Sequence, residues 1–288
     1  MNLNINLKKV IHINNAPRRI LVICVLTLSL VLPIIILQFT PFYLAVDSFE
    51  ELRKDIYLFS KDTNEYDISA TFNEEDMSFT CTEKVIYINK TNKNLGSVYF
   101  HLYPNAFKTL KNIPFPKEEL HLAYTNGFKP GSIEIDGIPS SSNDLSFLIL
   151  GKGNSILKVN LNKEIEPGEK TVLYLTYKIN LPPCNARFGY GDKTINIGNW
   201  YPIACVNNDK KWNLEPYYDI GDPFYSDIGN YRVVITMPQS YTLVTSGDLV
   251  KRESMGDTYK WTYSAKRIRD FAMMASKRMW WLWYTRMV

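Results

Sequence analysis

Residues 187 to 231 contain three motifs, Arg187-Phe-Gly-Tyr-Gly191, Gly198-Asn-Trp-Tyr-Pro202 and Pro216-Tyr-Tyr-Asp-Ile-Gly-Asp-Pro-Phe-Tyr-Ser-Asp-Ile-Gly-Asn-Tyr231. Large aromatic residues alternate in them with Gly, Pro and Asp. Turn residues set tight backbone corners, and aromatic residues supply a large packing area. The stretch is too polar for a plain core strand and too aromatic for a solvated loop. It therefore predicts ordered loops that cap a β domain.

The sequence on both sides of this stretch shows the alternation of β-strands. Val98, Phe100 and Leu102 alternate with more polar residues, and Leu173 begins another alternating segment. The segments are separated by turn dipeptides at Pro130-Gly131, Asp136-Gly137, Pro167-Gly168, Ser246-Gly247 and Gly256-Asp257. Many short strands between regular turn signals favour a β-sandwich or an open barrel.

Two further motifs flank the stretch, Tyr99-Phe-His-Leu-Tyr-Pro-Asn-Ala-Phe107 and Arg269-Asp-Phe-Ala272. Together with the three motifs above, they resemble the N-terminal β domain of the aminopeptidase N family of zinc metallopeptidases (gluzincins), in particular its membrane-anchored bacterial members. The resemblance covers residues 66–276. It implies a large antiparallel β-sandwich or saddle-like domain on the substrate side of a separate catalytic domain.

The resemblance also implies a site at Gly198–Pro202. In the family, the N-terminal domain lends a loop to the substrate cleft, close to the free amine of the bound peptide. Asn199 would stand where the family often carries Gln or Glu, with Trp200 and Tyr201 beside it as substrate contacts. The residues alone allow another interpretation, in which Trp200 and Tyr201 pack the loop and Asn199 supports a turn.

The zinc chemistry of the family depends on residues that this sequence does not contain. Two His in H-E-x-x-H hold the metal, and the Glu between them handles the proton of the zinc-bound water. The sequence has His12, His101 and His121, none followed by Glu, and it has no G-x-M-E-N motif. We therefore predict no catalytic residue, metal ligand or cofactor in this chain, with zinc expected only in a catalytic domain. The chain is predicted to be inactive alone and to meet peptide substrate only with that domain, and whether it belongs to an active enzyme stays open.

Composition excludes some functions and leaves one question open. The net charge is +4 on 288 residues, and the basic residues are scattered, which gives no sign of nucleic-acid binding. Cys24 lies in an apolar run, while Cys81, Cys184 and Cys205 lie outside it. One disulfide among these three and three unpaired buried thiols are both compatible with the sequence.

The N-terminal region predicts a membrane anchor. Residues 20–46 contain no charged residue and no His, and basic residues precede them. An apolar helix of about 20 residues spans a bilayer, and positive charge favours the cytoplasmic side. We predict a cytoplasmic segment at 1–19, a transmembrane helix at 20–42 in contact with the lipid bilayer, and a juxtamembrane helix or linker at 43–65. The β domain would then lie outside the cytoplasm at the cell membrane; a cleaved signal peptide is the rival interpretation.

The last residues, 277–288, depart from the strand-and-turn pattern. Trp280, Trp281 and Trp283 crowd into this segment. We expect an aberrant or truncated end, with an aromatic contact at the membrane surface as the alternative. The function predicted from the sequence is the substrate-side domain of an aminopeptidase-like metallopeptidase. The alternative is an extracytoplasmic β-sandwich that scaffolds membrane partners.

Overall fold

The computed structural model describes residues 63–140, 144–208, 211–221 and 224–277. The strands are β1 (Asn64–Asn73), β2 (Ser78–Ile88), β3 (Leu95–His101), β4 (Ser132–Gly137), β5 (Phe147–Leu150), β6 (Ile156–Ile165), β7 (Lys170–Asn180), β8 (Phe188–Tyr190), β9 (Ile195–Ile197), β10 (Ile203–Ala204), β11 (Gly229–Pro238), β12 (Thr242–Thr245), β13 (Asp248–Met255), β14 (Thr258–Ile268) and β15 (Met273–Ser276). The helical segments are short: 3-10 turns at Tyr103–Phe107, Lys117–Glu119 and Lys152–Asn154, and α1 (Leu120–Ala123).

Three sheets make up the described region. The largest has seven strands in the order β13-β14-β11-β1-β2-β7-β4, and two four-stranded sheets have the orders β10-β3-β6-β5 and β12-β15-β9-β8. The aromatic stretch contributes β8 and β9 to one sheet, β10 to the second and β11 to the third. Its corners therefore lie where the chain passes from sheet to sheet, and the short strands β8, β9 and β10 lie within a stretch that the sequence predicted as ordered loops.

Alternating side chains explain the core. Along β1, Tyr66, Ile68 and Ala70 are buried, and residues of the other parity are more exposed. Phe100 on β3 belongs to the same buried cluster as the inward residues of the seven-stranded sheet. Burying one such large apolar side chain stabilises a fold by about 1.5–3 kcal/mol. The strand assignments made from alternation are confirmed, while Asp136-Gly137 ends β4 at a register shift instead of forming a turn between strands.

The predicted fold class needs correction. The described residues are mainly β, but no helix among them is long and apolar enough to cross a membrane, because their helical segments have only three to five residues. The predicted transmembrane helix at 20–42, on which the membrane location and the lipid contact rested, lies outside the described residues, as does the tail from 278. The seven-stranded sheet is also mixed, because β1 pairs parallel with β11.

Candidate functional site

The Gly198–Pro202 corner connects β9 with β10. The backbone N–H of Gly198 donates to the carbonyl oxygen of Arg187 at 2.8 Å. Asn199 then adopts a left-handed conformation with φ of +51°. Asn is one of the few residues other than Gly that tolerate this conformation. The sequence therefore permits a sharp corner at Asn199 that still carries a polar side chain.

Trp200 and Tyr201 anchor this corner to the segment before β15. The Trp200 Nε1–H donates to the carbonyl oxygen of Phe271 at 2.8 Å. The Phe271 backbone N–H donates to the Tyr201 hydroxyl at 3.1 Å. The Tyr201 ring also packs edge-on against the rings of Tyr66 and Tyr231, at 5.9 and 5.7 Å between centroids. Segments that are 70 residues apart in sequence are thus held together by reciprocal hydrogen bonds.

Asp270 fixes the corner at its first residue. Its Oδ2 accepts the Asn199 backbone N–H at 2.9 Å. Its Oδ1 is buried and has no hydrogen-bond partner of acceptable geometry among the described residues. Withdrawal from water raises the pKa of Asp270 to about 6, although the Asn199 N–H, the Tyr201 hydroxyl and the charge of Arg187 act to lower it. A carboxyl group with this pKa changes charge within the physiological range.

A pocket of about 410 Å³ lies beside this corner. Its polar side chains include Asn199, Asp270 and Arg187, and its apolar wall includes Met273 and Val244. The Arg187 guanidinium lies over the Phe224 ring, 4.5 Å from the ring centroid. A concave surface with a few polar groups, an apolar wall and a perturbed carboxyl is typical of a small-ligand site.

The structure separates the three predicted substrate-contact residues. Asn199 lines the pocket and is 6% exposed, whereas Trp200 and Tyr201 are 0% exposed and serve as anchors of the corner. Trp200 and Tyr201 pack within the corner, as the packing interpretation describes, and the substrate contact of Asn199, Trp200 and Tyr201 stays a prediction. Asp270 belongs to the Arg269-Asp-Phe-Ala272 motif, but the sequence indicates no role for its side chain. Its contact with Asn199 leaves no local pattern, because the two residues are 71 positions apart.

The described residues do not fit a zinc site. No group of three His, Cys, Asp or Glu side chains in the described ranges could hold a metal ion. His101 is 0% exposed and stacks on Tyr103 at 4.6 Å. Burial lowers the pKa of His101 to about 4, so the imidazole is neutral at pH 7. We therefore assign no metal chemistry to these residues.

The thiols of the domain are unpaired. Cys81, Cys184 and Cys205 are buried and free. Burial raises the pKa of all three, most simply for Cys205, where it is the sole cause. Of the two possibilities left open by the sequence, the structure shows unpaired buried thiols. Neutral, buried thiols of this kind pack as small apolar groups.

Comparisons with known proteins give only distant similarities. No family model and no curated protein matches the chain. The crystal structure of the M1 zinc metallopeptidase from Deinococcus radiodurans is 13% identical with a TM-score of 0.44, over 75% of this chain and 42% of that one. Its E323A mutant bound to a Tyr-Ser-Ala substrate is 12% identical with a TM-score of 0.44, over the same shares. A two-domain M1 zinc metallopeptidase E323A mutant bound to L-tryptophan is 13% identical with a TM-score of 0.43. The chain spans less than half the length of these metallopeptidases, and the likeness concerns fold alone.

Proposed function

We propose that residues 66–276 act as the substrate-side β domain of an aminopeptidase-like zinc metallopeptidase and present Asn199 to the free amine of a peptide. The observation that carries this proposal is the fixed corner at Gly198–Pro202. A left-handed Asn beside a pocket, held by two buried aromatic anchors, is a preorganised polar group. Preorganisation lowers the entropy that ligand binding would otherwise have to offset.

The chemistry of the pocket suits an ammonium group. The Asn199 side chain offers a carbonyl oxygen, and the nearby Asp270 carboxylate offers negative charge. The apolar wall at Met273 and Val244 suits the side chain of a first residue. Hydrolysis of the peptide bond would be the task of a separate catalytic domain with its own zinc, since the described residues provide no ligand set for the metal.

Binding by the full chain tests this proposal. We expect the tripeptide Leu-Gly-Gly to bind with a Kd of about 1 mM, because a small open pocket gives modest affinity. N-acetyl-Leu-Gly-Gly, which lacks the ammonium, should bind at least about fivefold more weakly. Saturation-transfer NMR would measure both. Equal binding of the two peptides, or binding of neither, would contradict the proposed function.

A second candidate, an interaction module, rests on a different surface. Strand β5 lies at the edge of its sheet, and Leu148 and Leu150 on it are 51% and 39% exposed. Exposed apolar edge strands tend to pair with other chains. Light scattering would separate the two candidates, because an interaction module should self-associate or bind protein through β5 and lose this association in Leu148→Lys. A full chain that stays monomeric and binds no protein would contradict the interaction-module candidate.

A further inference from the structure

The Asp270 carboxylate has a position that packing alone does not explain. One oxygen, Oδ2, accepts the backbone N–H of Asn199 at 2.9 Å. The other, Oδ1, is buried without a hydrogen-bond partner of acceptable geometry in the described ranges. An unsatisfied oxygen on a buried carboxylate costs about 1–3 kcal/mol or more. A neutral Asn or Ser could accept the same N–H at a lower cost, so the charge of Asp270 needs a reason.

The groups around Asp270 define how its charge can act. Arg187 is the other charged residue that lines the pocket among the described residues, and its guanidinium is held over Phe224. The hydroxyls of Tyr201 and Tyr231 approach from the corner and from β11, and both remain neutral because burial raises their pKa. Among Asp270, Arg187, Tyr201 and Tyr231, Asp270 is therefore the group that supplies negative charge beside the corner.

Ionisation strengthens the contact that shapes the corner. A hydrogen bond to a carboxylate is roughly twice as strong as one to a neutral acceptor. The contact offsets the free energy that the left-handed conformation of Asn199 requires, which is lower for Asn than for most residues. When Asp270 takes up a proton, the corner loses the charge-assisted bond and the pocket loses its negative charge at the same time.

We infer that Asp270 is a positioning residue, which holds Asn199 in its left-handed conformation and favours an ammonium ligand in the pocket only while its carboxylate is ionised. The inference rests on the proposed function for its ligand, but the link between Asp270 and Asn199 is a property of the chain itself. Because burial raises the pKa of Asp270 to about 6, binding should increase as the pH rises through this value. Binding should fall again near pH 8, where a peptide α-amino group loses its proton.

The first experiment follows the Asn199 backbone amide of the full chain by NMR, without ligand, from pH 4.5 to 7.5. We expect its proton shift to titrate with a midpoint near 6 in the wild-type chain and to stay flat in Asp270→Asn. Asp257→Asn, at the exposed turn between β13 and β14, is the matched control and should titrate like the wild type. A wild-type amide shift that is flat across this range would overturn the inference, and this measurement needs no variant to fold.

The second experiment measures Leu-Gly-Gly binding at pH 5, 6, 7 and 9. We expect affinity at pH 7 to fall about tenfold in Asp270→Asn, the increase between pH 5 and 7 to disappear, and Asp270→Glu to restore part of both. If Leu-Gly-Gly binds selectively over its acetylated form with no pH dependence from 5 to 7, the proposed function stands and the inference fails. If no peptide binds but the Asn199 amide titrates with Asp270, the positioning role stands and the proposed function fails.

Discussion

Glu83 and Asp270 are both carboxyl groups withdrawn from water, but their surroundings differ. Glu83 is 2% exposed on the inner side of β2, and its two oxygens lack hydrogen-bond partners of acceptable geometry in the described residues. Burial raises its pKa well above the usual range, and only the nearby Tyr177 hydroxyl acts to lower it. Burial also raises the pKa of Asp270, but this carboxyl accepts an N–H and lies near Arg187, so its pKa rises only to about 6. Burial without partners keeps a carboxyl protonated, whereas burial with partners leaves it able to change charge near neutrality.

One aromatic cluster lies between these two regions. The rings of Tyr66 and Tyr231 stack at 4.8 Å, and Tyr201 packs against both. Burial raises the pKa of Tyr231, and the nearby carboxyl groups of Asp270 and Glu83 raise it further wherever they are ionised. The comparison therefore predicts a core carboxyl that affects stability and a pocket carboxyl that affects binding, with an aromatic cluster between them.

The largest expected effect comes from Glu83→Gln. Because the folded state keeps a proton on Glu83 that the unfolded state releases above about pH 4.3, the free energy of unfolding of the wild type should fall as the pH rises toward the folded-state pKa. The Gln side chain has nearly the same shape and no charge, so the variant should be more stable than the wild type at pH 8, by the largest margin of the changes considered, and equal to it near pH 4. Urea unfolding at several pH values would measure the difference in the free energy of unfolding between the variant and the wild type. The control Glu253→Gln, at a partly exposed position on β13 where the carboxylate pairs with Lys251, should change the free energy of unfolding far less. A Glu83→Gln variant less stable than the wild type at pH 8 would mean that the carboxylate has a partner.

A smaller effect on stability is expected from Trp200→Phe. This variant tests whether the hydrogen bond from Trp200 to Phe271 holds the corner beside Asp270. The substitution keeps an aromatic ring but removes the Nε1–H that donates to the Phe271 carbonyl. A buried carbonyl left without its donor should lower stability by about 1–2 kcal/mol. Hydrogen exchange should show faster opening at the Asn199 amide, which depends on the same segment. Trp212→Phe, at a partly buried position outside the corner, is the control. Unchanged exchange at Asn199 in Trp200→Phe would show that Trp200 does not hold the corner.

The smallest effect concerns the stability change linked to Asp270 itself. Since the pKa of Asp270 is raised from 3.8 to about 6, its contribution to stability is present below pH 3.8 and is lost as the pH rises to 6. In a Glu83→Gln background, the part of the pH-dependent loss that Asp270 contributes over this range should be about 1 kcal/mol, because the adjoining pocket lets solvent screen the charge. Adding Asp270→Asn should remove it. A loss that persists in the double variant would have to be assigned to another group.

The two regions also differ in how far the sequence predicts them. Alternation along β2 places Glu83 on the same side as Phe79, Cys81 and Val85, so the position of a buried Glu is readable from the sequence, although we assigned it no role. Asp270 is different, because its contact with Asn199 depends on how two distant segments meet. Local pattern cannot report such a contact.

The aromatic residues of the corner show a related limit. Composition predicts that Trp200 and Tyr201 provide packing area, and the family resemblance adds a substrate contact. Neither the composition nor the family resemblance predicts whether these two side chains face the core or the pocket. Their burial depends on the hydrogen bonds with Phe271, which lies on a segment with no local relation to the corner. Asn199 was the more predictable member, because a residue that tolerates a left-handed conformation suits a sharp corner.

The parallel pairing of β1 with β11 has a consequence for the order of folding. Tyr66 lies opposite Tyr231, so the middle of the largest sheet joins residues 165 positions apart in the chain. On a ribosome, β1 and β2 emerge and can form their hairpin long before β11 exists. The edge of β1 that pairs with β11 stays unpaired until synthesis has reached about residue 238. At 5–20 residues per second, synthesis from β2 to the end of β11 takes roughly ten seconds or more. Closing so large a loop is also slow in the free chain, since folding rates fall as contacts become less local. During synthesis, this unpaired strand edge can therefore contact other chains for a prolonged time. A chaperone would protect the growing chain most during that time.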